Sequence, residues 1–207
     1  MRLWVSSLAL QLVAAGALLP SAYAELPPLL RSENSNVRDG NEKLNRGDAK
    51  GALESYTLAA RQLPEAPGVQ LDRGLALLKS GDLAKARESF LSATTPSATP
   101  ALRADAYENL ALLSLLEGDD VSAQATAHRL LVLDPKNYNG RLVAGVAAVN
   151  QGQFTKARDI LAALRPQDDL LVAASYSVAL EESGQAAQAA RVRPPRVGPI
   201  MRQRISW

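Results

Sequence analysis

The side chains able to do acid–base, nucleophilic or metal chemistry are few and scattered along this chain. His128 is the single histidine and there is no cysteine. No histidine or thiolate cluster can therefore hold a metal, and disulfides and thiol nucleophiles are excluded. The carboxylates that fall side by side are Asp119-Asp120, Asp168-Asp169 and Glu181-Glu182. The first two pairs stand at predicted helix starts, where a carboxylate caps free N–H groups and suits the helix dipole. Glu181-Glu182 reads as a solvated helix face. The glycines fit neither GxGxxG nor GxxxxGK[ST], so no phosphate cradle is indicated. These patterns predict no catalytic constellation, no metal site and no cofactor, and hence no enzyme.

The glycines do carry a different signal. Gly40 and Gly47 return as Gly74 and Gly81, and Ala52, Tyr56 and Ala59 return as Ala86, Phe90 and Ala93, every step being 34 residues long. A period of that length with a small/aromatic/small pattern predicts stacked helical hairpins. From Gly81 to Gly118 the step is 37, and the stretch 94–100, with Pro96 and Pro100, is expected to supply a longer loop. Gly118 to Gly152 restores the step of 34. The small residues Ala52, Ala86, Ala123 and Ala157 suit close approach of two helices, and the glycines Gly47, Gly81, Gly118 and Gly152 suit a turn with positive φ. Asp48, Asp82 and Asp119 then become N-caps of the second helices. The expected units run over about 33–66, 67–100, 104–137 and 138–169, with a partial fifth over 170–190.

The ends read differently from the body, which spans 36–190. Arg2 is the only charge before Glu25, an apolar run follows it, and Ala22-Tyr23-Ala24 offers small residues at the positions a signal peptidase admits. Residues 1–24 therefore predict a cleaved signal peptide and export to a bacterial periplasm. The alternative is an uncleaved anchor, for which the run is shorter than the ~20 apolar residues that span a bilayer. Residues 25–35, with Pro27-Pro28, read as a linker. Setting aside Arg2 and the five arginines of 191–207 turns the net charge of +2 into −4 for residues 25–190. A basic surface for nucleic acid is absent. The tail 191–207, rich in Arg and Pro, reads as a disordered end, with weak membrane or envelope contact as its sharper alternative.

The repeat pattern resembles the tetratricopeptide repeat (TPR) family, whose units are antiparallel helix pairs. Gly40, Ala52 and Tyr56 fall at family positions 8, 20 and 24 of the first unit; Gly74, Ala86 and Phe90 do so in the second. Ala111 and Ala123 match positions 8 and 20 of the third, where Ala127 departs from the aromatic at 24. Gly145 and Ala157 match the fourth. The resemblance implies an all-α, right-handed α-α superhelix whose first helices line a concave groove. Carried over by position, the groove residues include Asn41, Leu71, Leu75, Lys79, Glu108, Leu112, Val146 and Asn150. The family's Lys/Asn/Arg clamp for a C-terminal carboxylate is missing. Two readings of the aliphatic stripe stand: side chains packed as core between hairpins, or an open floor for an apolar partner segment, with Leu75, Leu112 and Val146 at its centre.

The Gly40-Asn41 opening and Tyr107-Glu108-Asn109-Leu110 look like TPR proteins of the bacterial Bat (aerotolerance) group, which implies an envelope complex alongside von Willebrand A-domain proteins. The expected function is a non-enzymatic periplasmic adaptor that binds protein partners of an envelope complex, without nucleic acid. The alternatives are an assembly factor for outer-membrane, secretion or pilus machinery, or a non-catalytic partner of a cell-wall enzyme with peptidoglycan association.

Overall fold

The computed structural model describes residues 34–64, 66–164 and 169–193. The expected signal peptide, the linker up to Glu33 and the tail from Pro194 lie outside them, as does Asp168. The described residues form ten helices and no strand: α1 (Ser35–Asn45), α2 (Ala49–Gln62), α3 (Pro67–Lys79), α4 (Leu83–Ser92), α5 (Pro100–Leu116), α6 (Asp120–Leu133), α7 (Tyr138–Asn150), α8 (Phe154–Leu161), α9 (Leu170–Glu182) and α10 (Ala186–Val192). They pair in order as five hairpins, each packed on the next. The molecule is an all-α superhelical solenoid.

One turn joins the two helices of every hairpin. Gly47, Gly81, Gly118, Gly152 and Gly184 all hold φ between 73° and 84°, a region closed to most side chains. The left-handed residue lets the following N–H fold back onto a carbonyl five residues earlier: Asp48 to Lys43, Asp82 to Leu77, Asp119 to Ser114, Gln153 to Ala148 and Gln185 to Leu180. These bonds satisfy orphan carbonyls at the end of the first helix. The expected caps follow. Asp48 accepts from the Gly51 amide at 2.8 Å, Asp82 from Lys85 at 3.2 Å and Asp119 from Ser122 at 3.0 Å. In units four and five the cap positions are Gln153 and Gln185, which make no side-chain cap bond.

Successive first helices (α1, α3, α5, α7, α9) touch one another, whereas no two successive second helices pack comparably. The first helices therefore form the inner side of the curve and the second helices the outer side. The core runs along the seam between them and is built from the repeat residues Ala52, Tyr56, Ala86, Phe90, Ala111, Ala123, Ala157 and Leu161, all fully buried.

Two details of this packing go beyond the repeat pattern. The small residue at position 8 lies against the residue at position 24. A Cβ added to Gly40 would stand 2.5 Å from Tyr56 Cε1, and one added to Gly74 would stand 2.5 Å from Phe90 Cε1. Gly145 is closed off by Leu161 in the same way. In unit three both positions are alanine, Ala111 and Ala127, each 0% exposed, so a smaller ring-position residue is matched by a larger position-8 residue. The longer step before unit three carries the expected longer loop, over 93–99, and Pro100 opens the next helix rather than ending that loop. α5 starts at Pro100 behind the N-cap Thr99, whose hydroxyl accepts from the Leu102 amide at 3.3 Å. Proline at the first helical position, where its missing N–H costs nothing, lets the helix begin about a turn early.

Unit one carries a polar network between its two helices. Lys43 Nζ donates to Asp39 Oδ2 at 2.7 Å, Ser55 Oγ donates to the same oxygen at 2.5 Å, and Gln62 accepts from Asn34 and Asn36. The hydrogen bond from Lys43, then that from Ser55, holds the Asp39 carboxyl below its ordinary value.

Candidate interaction face

The inner side formed by the first helices is where the predicted partner-binding residues fall, and their surroundings divide them. Leu71 on α3 is 1% exposed, Leu75 is 7% and Val146 on α7 is 0%. Leu71 and Leu75 pack with Leu44, Tyr56 and Phe90, and Val146 packs in the cluster that holds Leu161 and Tyr176. A side chain with no accessible area gives nothing to a partner, so Leu71 and Val146 are core and Leu75 nearly so. Successive first helices approach closely enough here to use these positions against each other. Leu112 on α5 differs, being only partly buried against the second cluster.

The polar residues among the predicted groove positions already serve the chain itself. Tyr56 reaches past Gly40 to donate its hydroxyl to Asn41 Oδ1 at 2.6 Å. Glu108 accepts with both oxygens, from Asn137 Nδ2 at 2.8 Å and Asn139 Nδ2 at 2.7 Å. That double bond ties α5 to the start of α7. Asn150 donates to Asp120 Oδ1 at 2.8 Å, and Gln151 donates to the Asp120 carbonyl at 3.1 Å, which ties the far end of α7 to α6. These residues set the pitch between units three and four. Lys79, at the end of α3, is exposed.

The inner-side positions of α3 and α5 that keep accessible surface include Leu78, Lys79, Leu112 and Leu116, with Asp105 near the start of α5, all of them half-buried or exposed. Burial pushes the Asp105 carboxyl up to about 6, helped by the negative charge of Glu108. This surface can accept an apolar segment, and Asp105 can meet a cationic or hydrogen-bond-donating group on it.

Sequence reasoning missed Asp72, which is 0% exposed on α3 with neither carboxylate oxygen hydrogen-bonded. The signal for it was an acid between Val69 and Ala76, on the stripe spaced to face the preceding hairpin. His128 is exposed on α6. Asp169 caps α9 by accepting from the amides of Leu171 and Val172 at 2.8 and 3.1 Å, and also accepts from Tyr138 Oη at 2.8 Å. Among the described residues no three His, Cys, Asp or Glu side chains gather as a metal site. Among them, too, no helix is long and apolar enough to cross a membrane.

Residues 38–102 match the tetratricopeptide repeat family model. No curated protein matches the chain. Its fold is similar to a crystal structure of MamA protein, at 20% identity with a TM-score of 0.65, over 76% of this chain and 85% of that one. A MamA RS-1 double mutant is similar at 17% identity and a TM-score of 0.67, over 78% of this chain and 92% of that one. A tetratricopeptide repeat protein from Parabacteroides merdae covers more of this chain, 92% of it and 79% of its own length, at 18% identity and a TM-score of 0.60.

Proposed function

We propose that this chain, a tetratricopeptide repeat protein, is a non-enzymatic adaptor of the bacterial periplasm that holds a protein partner of an envelope complex. The observation that carries the reading is the inner side of the array. Leu78, Leu112 and Leu116 keep part of their apolar surface accessible, whereas Leu71, Leu75 and Leu115 on the same helices are buried. Accessible aliphatic side chains on α3 and α5, with the half-buried carboxyl of Asp105 near the start of α5, suit a short amphipathic segment. Export rests on the apolar run and the Ala22-Tyr23-Ala24 site of the sequence. The likeness to aerotolerance-group repeat proteins makes a von Willebrand A-domain protein the partner to try first.

The test is affinity capture of the tagged full chain from the envelope fraction, together with N-terminal sequencing of the recovered protein. One stoichiometric protein partner and a mature start at Glu25 are the expected results. Retention on isolated peptidoglycan with no protein partner overturns the adaptor reading, and recovery in the cytoplasm with Met1 intact overturns the location.

A further inference from the structure

Asp72 lies in the seam between the first hairpin and the rest of the array. Its stripe on α3 is Val69, Asp72 and Ala76, respectively 5%, 0% and 0% exposed. Val69 packs with Val37 of α1 and Ala59 of α2, and Ala76 joins the cluster of Leu44, Ala52 and Tyr56. The carboxyl between them has no hydrogen-bond partner on either oxygen. A charged carboxylate in that position would be uncompensated, which is among the least favourable arrangements in a protein interior.

The same position recurs nine residues before each turn glycine, and elsewhere in the seams it carries a neutral group. It is Asn109 in unit three, whose amide donates to the Asp105 carbonyl at 2.8 Å. In unit four it is Val143 and in unit five Ser175, both 0% exposed. In unit one it is Arg38, exposed on a helix with no preceding hairpin among the described residues. Asp72 is thus the one ionisable side chain that these seams enclose at this position.

We propose that the hairpin α1–α2 is a detachable unit whose docking onto α3 depends on the proton of Asp72, so that the hairpin is closed in acid and released as the pH rises. Burial pushes the Asp72 carboxyl up to about 8. The released hairpin returns it to water and to an ordinary carboxylate value near 4. The closed form therefore holds a proton that the open form gives up between those limits. Docking is fully present below about pH 4, weakens through neutrality and levels off above about pH 8.

The groups around the carboxyl leave this sign unchanged. From α2, Tyr56 faces it, and the Asp72 charge adds to burial in raising the phenol above its ordinary value, so the phenol stays neutral throughout the window. On α1, Asp39 is paired with Lys43, while Arg38 and Glu42 are exposed; on α2, Lys50, Glu54 and Arg61 are exposed. On α3 and α5, neither Arg73 nor Arg103 donates to it, and Asp105 is acted on by Glu108.

Hydrogen–deuterium exchange of the full chain between pH 5 and 8, corrected for the intrinsic base-catalysed rate, reads the opening directly. The opening constant of residues 35–62 is expected to rise by up to about tenfold per pH unit, while that of 138–182 stays flat. Asp72→Asn keeps the shape, puts at this site the residue already tolerated at 109, and should flatten the rise. A parallel rise in 138–182, an equal rise in the Asn variant, or no rise in the wild type each overturns the proposal. The ¹³C resonance of the wild-type Asp72 carboxyl gives a second measure free of any variant. Titration above pH 7 supports the proposal, and titration near pH 4 refutes it.

Discussion

At the scale of single residues, the fold is decided by pairs whose sizes are matched across a hairpin. Gly40 takes the ring of Tyr56 and Gly74 that of Phe90, while Ala111 faces a unit whose position 24 is only Ala127. Gly40→Ala places a methyl where the ring stands, and the ring is held by its bond to Asn41. The expected cost is about 1–3 kcal/mol by overpacking. Tyr56→Ala removes the ring and leaves a cavity, but it also vacates the space, so Gly40→Ala should become nearly neutral in that background. Urea unfolding of the two single variants and the double variant closes the cycle, and additive costs would show that glycine is required there for another reason. The 34-residue spacing made the positions legible. It did not reveal which of them touch, because sequence separation alone cannot say whether position 8 meets position 20 or position 24.

At the scale of elements, the turns repeat in all five units, and the side-chain caps of the second helices in the first three. Asp48, Asp82 and Asp119 cap their helices, and the sequence shows them one residue after each turn glycine. Unit four has Gln153 at the cap of α8, the eight-residue helix, with no side-chain bond to a free amide. Gln cannot fold back onto N2 or N3 as a shorter Asp does. Gln153→Asp should therefore stabilise the array by about 0.5–2 kcal/mol, which differential scanning calorimetry would read as a Tm increase of about 2–4 °C per kcal/mol. An unchanged Tm would mean that packing against α7 and α9 already fixes this end. The start of α5 was less legible. The prolines at 96 and 100 both signal a break, yet only Pro100 sits where a helix accepts one, behind the cap Thr99. A single sequence gives no rule for choosing between two such prolines.

At the scale of the whole molecule, curvature brings the first helices together, and that decides how much of the inner side is free. Burial divides the aliphatic stripe between residues packed as core and residues that keep accessible surface. Leu71, Leu75 and Val146 are consumed by packing between hairpins, and Leu112 keeps part of its surface. Position in the repeat was legible, but exposure depends on how close α1, α3, α5, α7 and α9 come, which the sequence of any one unit does not encode. The same closeness explains why Glu108 and Asn150 bond across units rather than waiting for a partner. Two substitutions separate the roles. Leu75→Glu buries a carboxylate in the cluster of Tyr56 and Phe90, and it should cost more than about 3 kcal/mol and lower the helical circular dichroism at 222 nm near physiological temperature. Leu112→Glu sends its charge toward the accessible surface, so the helical signal should survive while capture of the proposed partner is lost. If Leu112→Glu unfolds the array as well, that surface is core and the partner docks elsewhere on the solenoid; if it folds and still captures the partner, the inner face is not the docking surface.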